Sequence, residues 1–266
     1  YGVQTLRAME NFAISGVRVE NFEHMIEALA FVKKAAALAN FELGALDEEK
    51  MRAIADACGA YIMGDIAHPA GMASAGAYPN PVGVADVVTF TTHKSTFGPR
   101  GAVIMSTDED IANTIDLAVF PGAQGGPHTN KFAAMCVAFE IARSDAFHAL
   151  QHGIVDNARA LAKGLTDRGL DLAYGGTDTH LLLIDLKSAK PANKQPLYGE
   201  VVARILELAG IVVNKNTIPR ETRSPFITSG IRIGTPALTT RGFREEEMKI
   251  IAKLIKQVLK DHRDEK

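Results

Sequence analysis

The residue with the clearest chemical potential is Lys94, inside Thr91-Thr92-His93-Lys94-Ser95-Thr96-Phe97-Gly98-Pro99-Arg100-Gly101. A run of strand formers, Val87-Val88-Thr89-Phe90, enters this stretch, and a second apolar run, Ala102-Val103-Ile104-Met105, leaves it. Polar residues held between two strand-like runs read as an exposed rim at the end of a sheet, where ligand sites form. A primary amine placed there can attack a carbonyl carbon. A single lysine is by default a solvated surface group. What sets Lys94 apart is a carboxylate at the end of an earlier run.

That carboxylate is Asp65, in Ala60-Tyr61-Ile62-Met63-Gly64-Asp65-Ile66-Ala67-His68. An amine and a carboxylate at neighbouring strand ends suit pyridoxal phosphate. The lysine forms a Schiff base with the aldehyde, and the aspartate keeps the pyridine nitrogen protonated so that the ring accepts electrons. Two other readings of Asp65 stay open. It can be a loop or helix-cap carboxylate, or half of a metal site with His68, although no other Cys, His or Asp stands at ligand spacing.

Beyond these two residues, several blocks resemble serine hydroxymethyltransferase. They are Gly64 to His68, Thr91 to Lys94, Gly98 to Gly101, Phe120 to Pro127, Gly175 to His180, Val213 to Asn216, and Ser224-Pro225-Phe226 followed by Ser229 to Pro236. The resemblance implies a pyridoxal 5'-phosphate enzyme that converts serine and tetrahydrofolate to glycine and 5,10-methylenetetrahydrofolate. In that reading Lys94 carries the cofactor and Asp65 pairs with its ring nitrogen. His68 contacts the ring hydroxyl or the substrate carboxylate, while His93 and Thr91 handle protons beside the lysine. Both histidines could equally be structural, bonded to backbone. Arg232 is expected to bind the amino-acid carboxylate with two parallel hydrogen bonds, which lysine cannot do. Asn216, Ser224, Pro225 and Phe226 fall where the family contacts the pterin. Gly125 and Gly126 fall where it reaches the cofactor phosphate of a neighbouring subunit, which implies a homodimer with shared sites.

The resemblance runs from about Met51 to the end and begins midway through the family's large domain. The family's first half, with its ring-stacking residue and much of its phosphate cup, has no counterpart that can be mapped. Two alternatives follow: an inactive fragment or chimera that keeps the fold only, and a threonine aldolase-type lyase. The pterin positions favour hydroxymethyl transfer over the aldolase. Residues 1 to about 50 carry a different likeness. Tyr1 to Phe12 and Val32 to Asn40 are similar to the N-terminal region of the aspartase/fumarase superfamily. That superfamily's Gly-Ser-Ser-x-Met-Pro-x-Lys-x-Asn signature occurs nowhere in the chain, so ammonia-lyase chemistry is not expected.

The elements that must position these residues follow from periodicity. Asn21 can cap one helix, and Asp47 a second that carries Met51, Ile54, Ala55 and Cys58 on one face and stops at Gly59. Three apolar strands fall between 60 and 107. Asn130 to Ala142 is apolar nearly all round and predicts a buried helix. Phe147, Leu150, Ile154, Ala158, Leu161 and Leu165 line one face of a long helix that stops at Gly169. After it come a strand (180–186), a polar surface loop (187–197), a helix (199–209), strands (211–213 and 230–234) and a helix (244–259). The fold class is α/β: an incomplete aminotransferase-like (fold type I) large domain over 51–145, a bridging helix and small α/β domain over 146–266, and a helical segment over 1–50.

Composition bounds the rest. Of 266 residues, 47% are hydrophobic and 23% charged, with net charge −2. That near-neutral balance gives no reason to expect nucleic acid or an acidic membrane surface as partner. No apolar run reaches the ~18 residues of a membrane span, and no signal peptide opens the chain. Cys58 and Cys136 read as reduced core residues. The expectation is a cytoplasmic protein with small-molecule substrates: serine, glycine and folate.

Overall fold

The computed structural model describes residues 48–187 and 197–261. The helix expected after Asn21, the lyase-like likeness before residue 48, the Asp47 cap and most of the 187–197 loop lie outside those residues. The chain divides into two compact units. Among the described residues, one takes 48–64, 81–88 and 105–122; the other takes 65–80, 89–104 and everything from 123 on.

In the first unit, α1 (Glu48–Cys58) ends at Gly59, whose φ of +64° is the left-handed stop that glycine adopts without strain. Arg52 on α1 donates to Asp56 and, through one nitrogen, to both oxygens of Asp86 at 2.8 and 2.9 Å. Asp86 also accepts the Ile62 N–H at 2.6 Å, so one carboxylate fixes both a helix and a strand entry. The same unit contains α3 (Glu109–Leu117), capped by Asp108 accepting from the Ile111 N–H. Cys58 is exposed, not in a core. Ala55 of α1 is buried, while Cys58, at the last helical position before the Gly59 stop, lies past it at the surface.

Three strands form around Lys94, the second and third of them where β-branched and aromatic residues predict. They are β1 (Met63–Asp65), β2 (Val87–Thr91) and β3 (Ala102–Met105), hydrogen-bonded in that order. The Val87 N–H bonds the Ile62 carbonyl and the Ile66 N–H bonds the Thr89 carbonyl, so β1 and β2 run the same way. Asp65 and Thr91 therefore end neighbouring strands at the same edge. A five-residue helix, α2 (Ala70–Ser74), follows Asp65 and His68.

In the second unit, α5 (Asp145–Thr166) is the central element. Ser144 caps it, and Phe147, Ile154, Ala158, Leu161 and Leu165 are buried, the face that the sequence pattern predicts. It packs against α8 (Glu245–Asp261), which buries Met248, Ala252, Ile255 and Leu259. A second sheet has the order β4-β5-β7-β6, from β4 (Asp171–Leu172), β5 (Leu181–Asp185), β6 (Asn214–Asn216) and β7 (Gly230–Gly234), all neighbours antiparallel. Leu182, Ile184, Ile231 and Ile233 point into the core with Val202 and Leu206 of α6 (Gly199–Leu208). Strand alternation then puts Arg232 on the opposite face. A short helix, α7 (Pro236–Thr240), follows β7.

Three expectations need correction. The strand expected at 211–213 lies instead at Asn214–Asn216, paired to β7, because Ile211 and Val213 pack on the core from the approach to the sheet. The helix α4 (Thr129–Ala142) buries only Ala138; Phe132, Val137 and Ile141 are half exposed or more. Cys136 on α4 is exposed as well. Apolar composition all round a helix measures what it could bury. It does not say how many neighbours one chain supplies.

Candidate functional site

Lys94 sits in a turn pinned from within. The Thr92 N–H donates to the Gly101 carbonyl (3.0 Å) and its hydroxyl to the Pro99 carbonyl (2.6 Å). The Thr92 carbonyl accepts from the Gly98 N–H and from the Thr96 hydroxyl, both at 2.7 Å. The Phe97 N–H closes on the Lys94 carbonyl at 3.1 Å, with Phe97 in left-handed backbone at φ +56°. A non-glycine residue in that conformation costs of order 1 kcal/mol, so the surrounding bonds must hold it there. The Lys94 side chain is half-buried, and its amine makes no hydrogen bond or ion pair among the described residues.

The residue after the lysine ties the turn to its surroundings. The buried Ser95 hydroxyl donates to the His68 carbonyl (2.6 Å) and accepts the Gly71 N–H (3.0 Å). The Ser95 carbonyl accepts from the buried Gln151 side chain of α5 (2.8 Å). A Cβ at Gly71 would stand 2.2 Å from the Ser95 carbonyl oxygen, so only glycine allows this approach. Asp65 is exposed, and its carboxylate accepts the Ala67 N–H (3.1 Å). The Thr91 hydroxyl donates to the Ala67 carbonyl (3.3 Å).

These elements bring four of the sequence-predicted residues into electrostatic range of one another. Burial pushes the His68 imidazole below its ordinary value, and the charges of Lys94 and Arg232 push it further; Asp65 opposes them. Lys94, Arg232 and Asp65 thus all act electrostatically on one ring, from the turn after β2, from β7 and from the end of β1. His93 is half-buried, with its Nδ1 buried and unpartnered among the described residues.

His180 is the member that sequence reasoning missed. Its ring stacks on His68 with centroids 5.6 Å apart and planes 21° from parallel. It is 6% exposed, and its Nδ1 is also buried without a partner. Burial, then His68 and Arg232, lower its pKa to about 4. The available signal was a histidine at the head of a strand, after the Gly-Gly-Thr-Asp-Thr run.

Other predicted residues stand apart from this cluster. Asn216 lines an open cleft of about 1030 Å³ with Tyr78, Arg159, Tyr174 and Asp178, and Arg232 of the cluster lines it too. Lys94 does not line it, so the cleft and the amine are not one cavity. Ser224, Pro225 and Phe226 form an exposed turn, in which the Phe226 carbonyl accepts from the Lys215 ammonium at 3.0 Å. Gly125 and Gly126 are exposed, with nothing within 4 Å of a Cβ at either position. No cluster of three or more metal-ligating side chains occurs among the described residues, and no helix there is long and apolar enough to cross a membrane.

The donor set fits pyridoxal phosphate. It offers an uncommitted amine, an accessible carboxylate, and two imidazole nitrogens, on His93 and His180, that are buried without partners. Buried polar atoms in folded chains ordinarily have partners, so these two orphans, one of them on the residue before Lys94, suit a polar ligand. The family model described as serine hydroxymethyltransferase matches residues 23–255. The match starts inside the stretch for which a lyase-like segment was expected. It covers most of the sequence, and the chain belongs to the serine hydroxymethyltransferase family.

Proposed function

We propose that this chain, as a member of that family, transfers a hydroxymethyl group between serine and tetrahydrofolate, yielding glycine and 5,10-methylenetetrahydrofolate. The observation that carries the reading is that Lys94, Asp65 and Arg232 lie within electrostatic range of the one His68 ring. Lys94 and Asp65 would hold pyridoxal phosphate at its aldehyde and its ring nitrogen, where it supplies an electron sink for bonds broken at the amino-acid Cα.

Each remaining residue acts on the amino acid, the folate or a proton. Arg232 presents two parallel donors to the amino-acid carboxylate and so fixes the orientation of the Cα substituents. His68 stays uncharged near neutral pH, so it can accept or donate a hydrogen bond without adding a second cation beside Lys94 and Arg232. His93 offers a ring nitrogen next to the amine through which a proton can pass. Asn216 lies along the same cleft as Arg232 and suits the polar edge of a pterin. Ser224, Pro225 and Phe226 would close over that ring from the adjoining turn. Gly125 and Gly126, open on all sides, suit a phosphate held in a second copy's site, in a homodimer with shared sites.

The test is the visible spectrum of the chain after loading with pyridoxal phosphate and desalting, in the parent and in Lys94→Ala. A band retained by the parent and lost in the variant is the expected result. Serine-to-glycine conversion should then require tetrahydrofolate. A chain that keeps the fold without activity retains no band. An aldolase cleaves threonine or allothreonine with no need of folate.

A further inference from the structure

We infer that His180 is a positioning residue: its buried imidazole stacks on His68, shields one face of that ring from water and holds it within electrostatic range of Lys94 and Arg232.

Both members of the pair are held by their backbones. The His68 carbonyl accepts the Ser95 hydroxyl at 2.6 Å, and Ser95 is itself buried. The His180 carbonyl accepts the Thr235 N–H at 3.1 Å, and the next residue, Leu181, pairs with Gly234 on β7. The Thr235 hydroxyl donates to the Ile154 carbonyl of α5 at 2.8 Å, so the His180 end of the pair is tied to the buried face of that helix. With both backbones fixed, centroids 5.6 Å apart and planes 21° from parallel describe a stack between the two rings.

The stack has an electrostatic consequence. The charged and titratable groups acting on His68 are Lys94, Arg232 and Asp65, with His180 against its face; those acting on His180 are His68 and Arg232. Two cations already face this pair and one exposed carboxylate opposes them. A third positive charge on either ring would be repelled and poorly hydrated. His180 contributes the dry wall and stays uncharged itself, and His68 is left as a neutral hydrogen-bonding group. The bearing on hydroxymethyl transfer rests on the reading above. The ring pairing does not.

The test follows histidine ring signals by NMR in the full chain without cofactor, assigned with His68→Gln. In the parent, ring protons of His68 and His180 should show a mutual Overhauser contact, and the His68 midpoint should lie below the ordinary value of about 6.5. His180→Phe keeps a flat ring over His68 and should leave that midpoint low. His180→Ala opens the face, and the midpoint should move up toward that of an exposed histidine. In the cofactor-loaded chain, the acid limb of kcat/KM for serine should move up with it in the alanine variant and stay put in the phenylalanine variant. Absence of the ring contact in the parent overturns the proposal, and that measurement needs no variant to fold. So does an unchanged His68 midpoint in a folded alanine variant. If the midpoints shift as expected but the loaded parent turns over no serine, the functional reading fails and the positioning role stands.

Discussion

The Gln151 side chain donates to the Ser95 carbonyl at 2.8 Å, which joins the middle of the central helix α5 to the peptide that follows Lys94. Ser95 in turn holds His68 through its hydroxyl. One buried amide thus steadies both the amine and the imidazole of the site.

Gln151→Leu keeps the volume and removes the donor. The Ser95 carbonyl is then left buried without its partner, which costs about 1–3 kcal/mol. Urea unfolding should report a loss of that size, and a loaded chain should retain pyridoxal phosphate less well. A variant that matches the parent in both would mean that the turn is held by Thr92 and Thr96 alone.

Much of this arrangement was legible in the sequence. The strand-turn-strand around Lys94 followed from two apolar runs that flank a polar one, and Asp65 from a third. The buried face of α5 followed from a period of 3.6, whereas Arg232 was singled out by resemblance. What the sequence could not carry was coverage. The α4 pattern is uniformly apolar, yet only Ala138 is buried. The His68–His180 stack joins residues far apart in sequence, and no local pattern announces which histidine a strand will carry to another.

Arg232 lines the cleft, and its guanidinium makes no ion pair among the described residues. Arg232→Lys keeps the charge and loses the two-pronged geometry. The lost charge-assisted hydrogen bond corresponds to about 1.5–3 kcal/mol, or roughly a 10- to 100-fold rise in KM for serine with a smaller change in kcat. Steady-state kinetics on serine decide it. Unchanged KM would remove Arg232 from the carboxylate site.

Glu221 pins the loop that carries Ser224 to Phe226. Its carboxylate accepts the Thr222 and Arg223 N–H groups (both 3.0 Å), and the Ser229 N–H and hydroxyl (both 2.8 Å). Burial pushes its pKa up, but these bonds together outweigh burial and bring it to about 2. The folded value lies below the ordinary one, so the stabilisation is present above about pH 4.5 and is lost as pH falls toward 2. Glu221→Gln turns one acceptor into a donor facing N–H groups and should cost about 1–3 kcal/mol. Hydrogen exchange over 217–229 at neutral pH should be faster in the variant; equal protection would assign the loop's order to other contacts.

The buried His180 makes the opposite demand. Its folded pKa of about 4 lies below the ordinary 6.5. Between those values the unfolded chain binds a proton that the folded chain refuses, so stability rises with pH there. The contribution is intact above about pH 6.5, erodes as pH falls, and is fully lost near pH 4. Over that interval the shift corresponds to about 3 kcal/mol. His180→Phe removes the titrating group and keeps a ring in its place. Unfolding free energies at pH 7.5 and 4.5 should therefore fall further in the parent than in the variant, by roughly 2–3 kcal/mol. Equal acid losses in the two proteins would mean that the folded chain accepts a proton at His180, and that the ring is wetter than its burial implies.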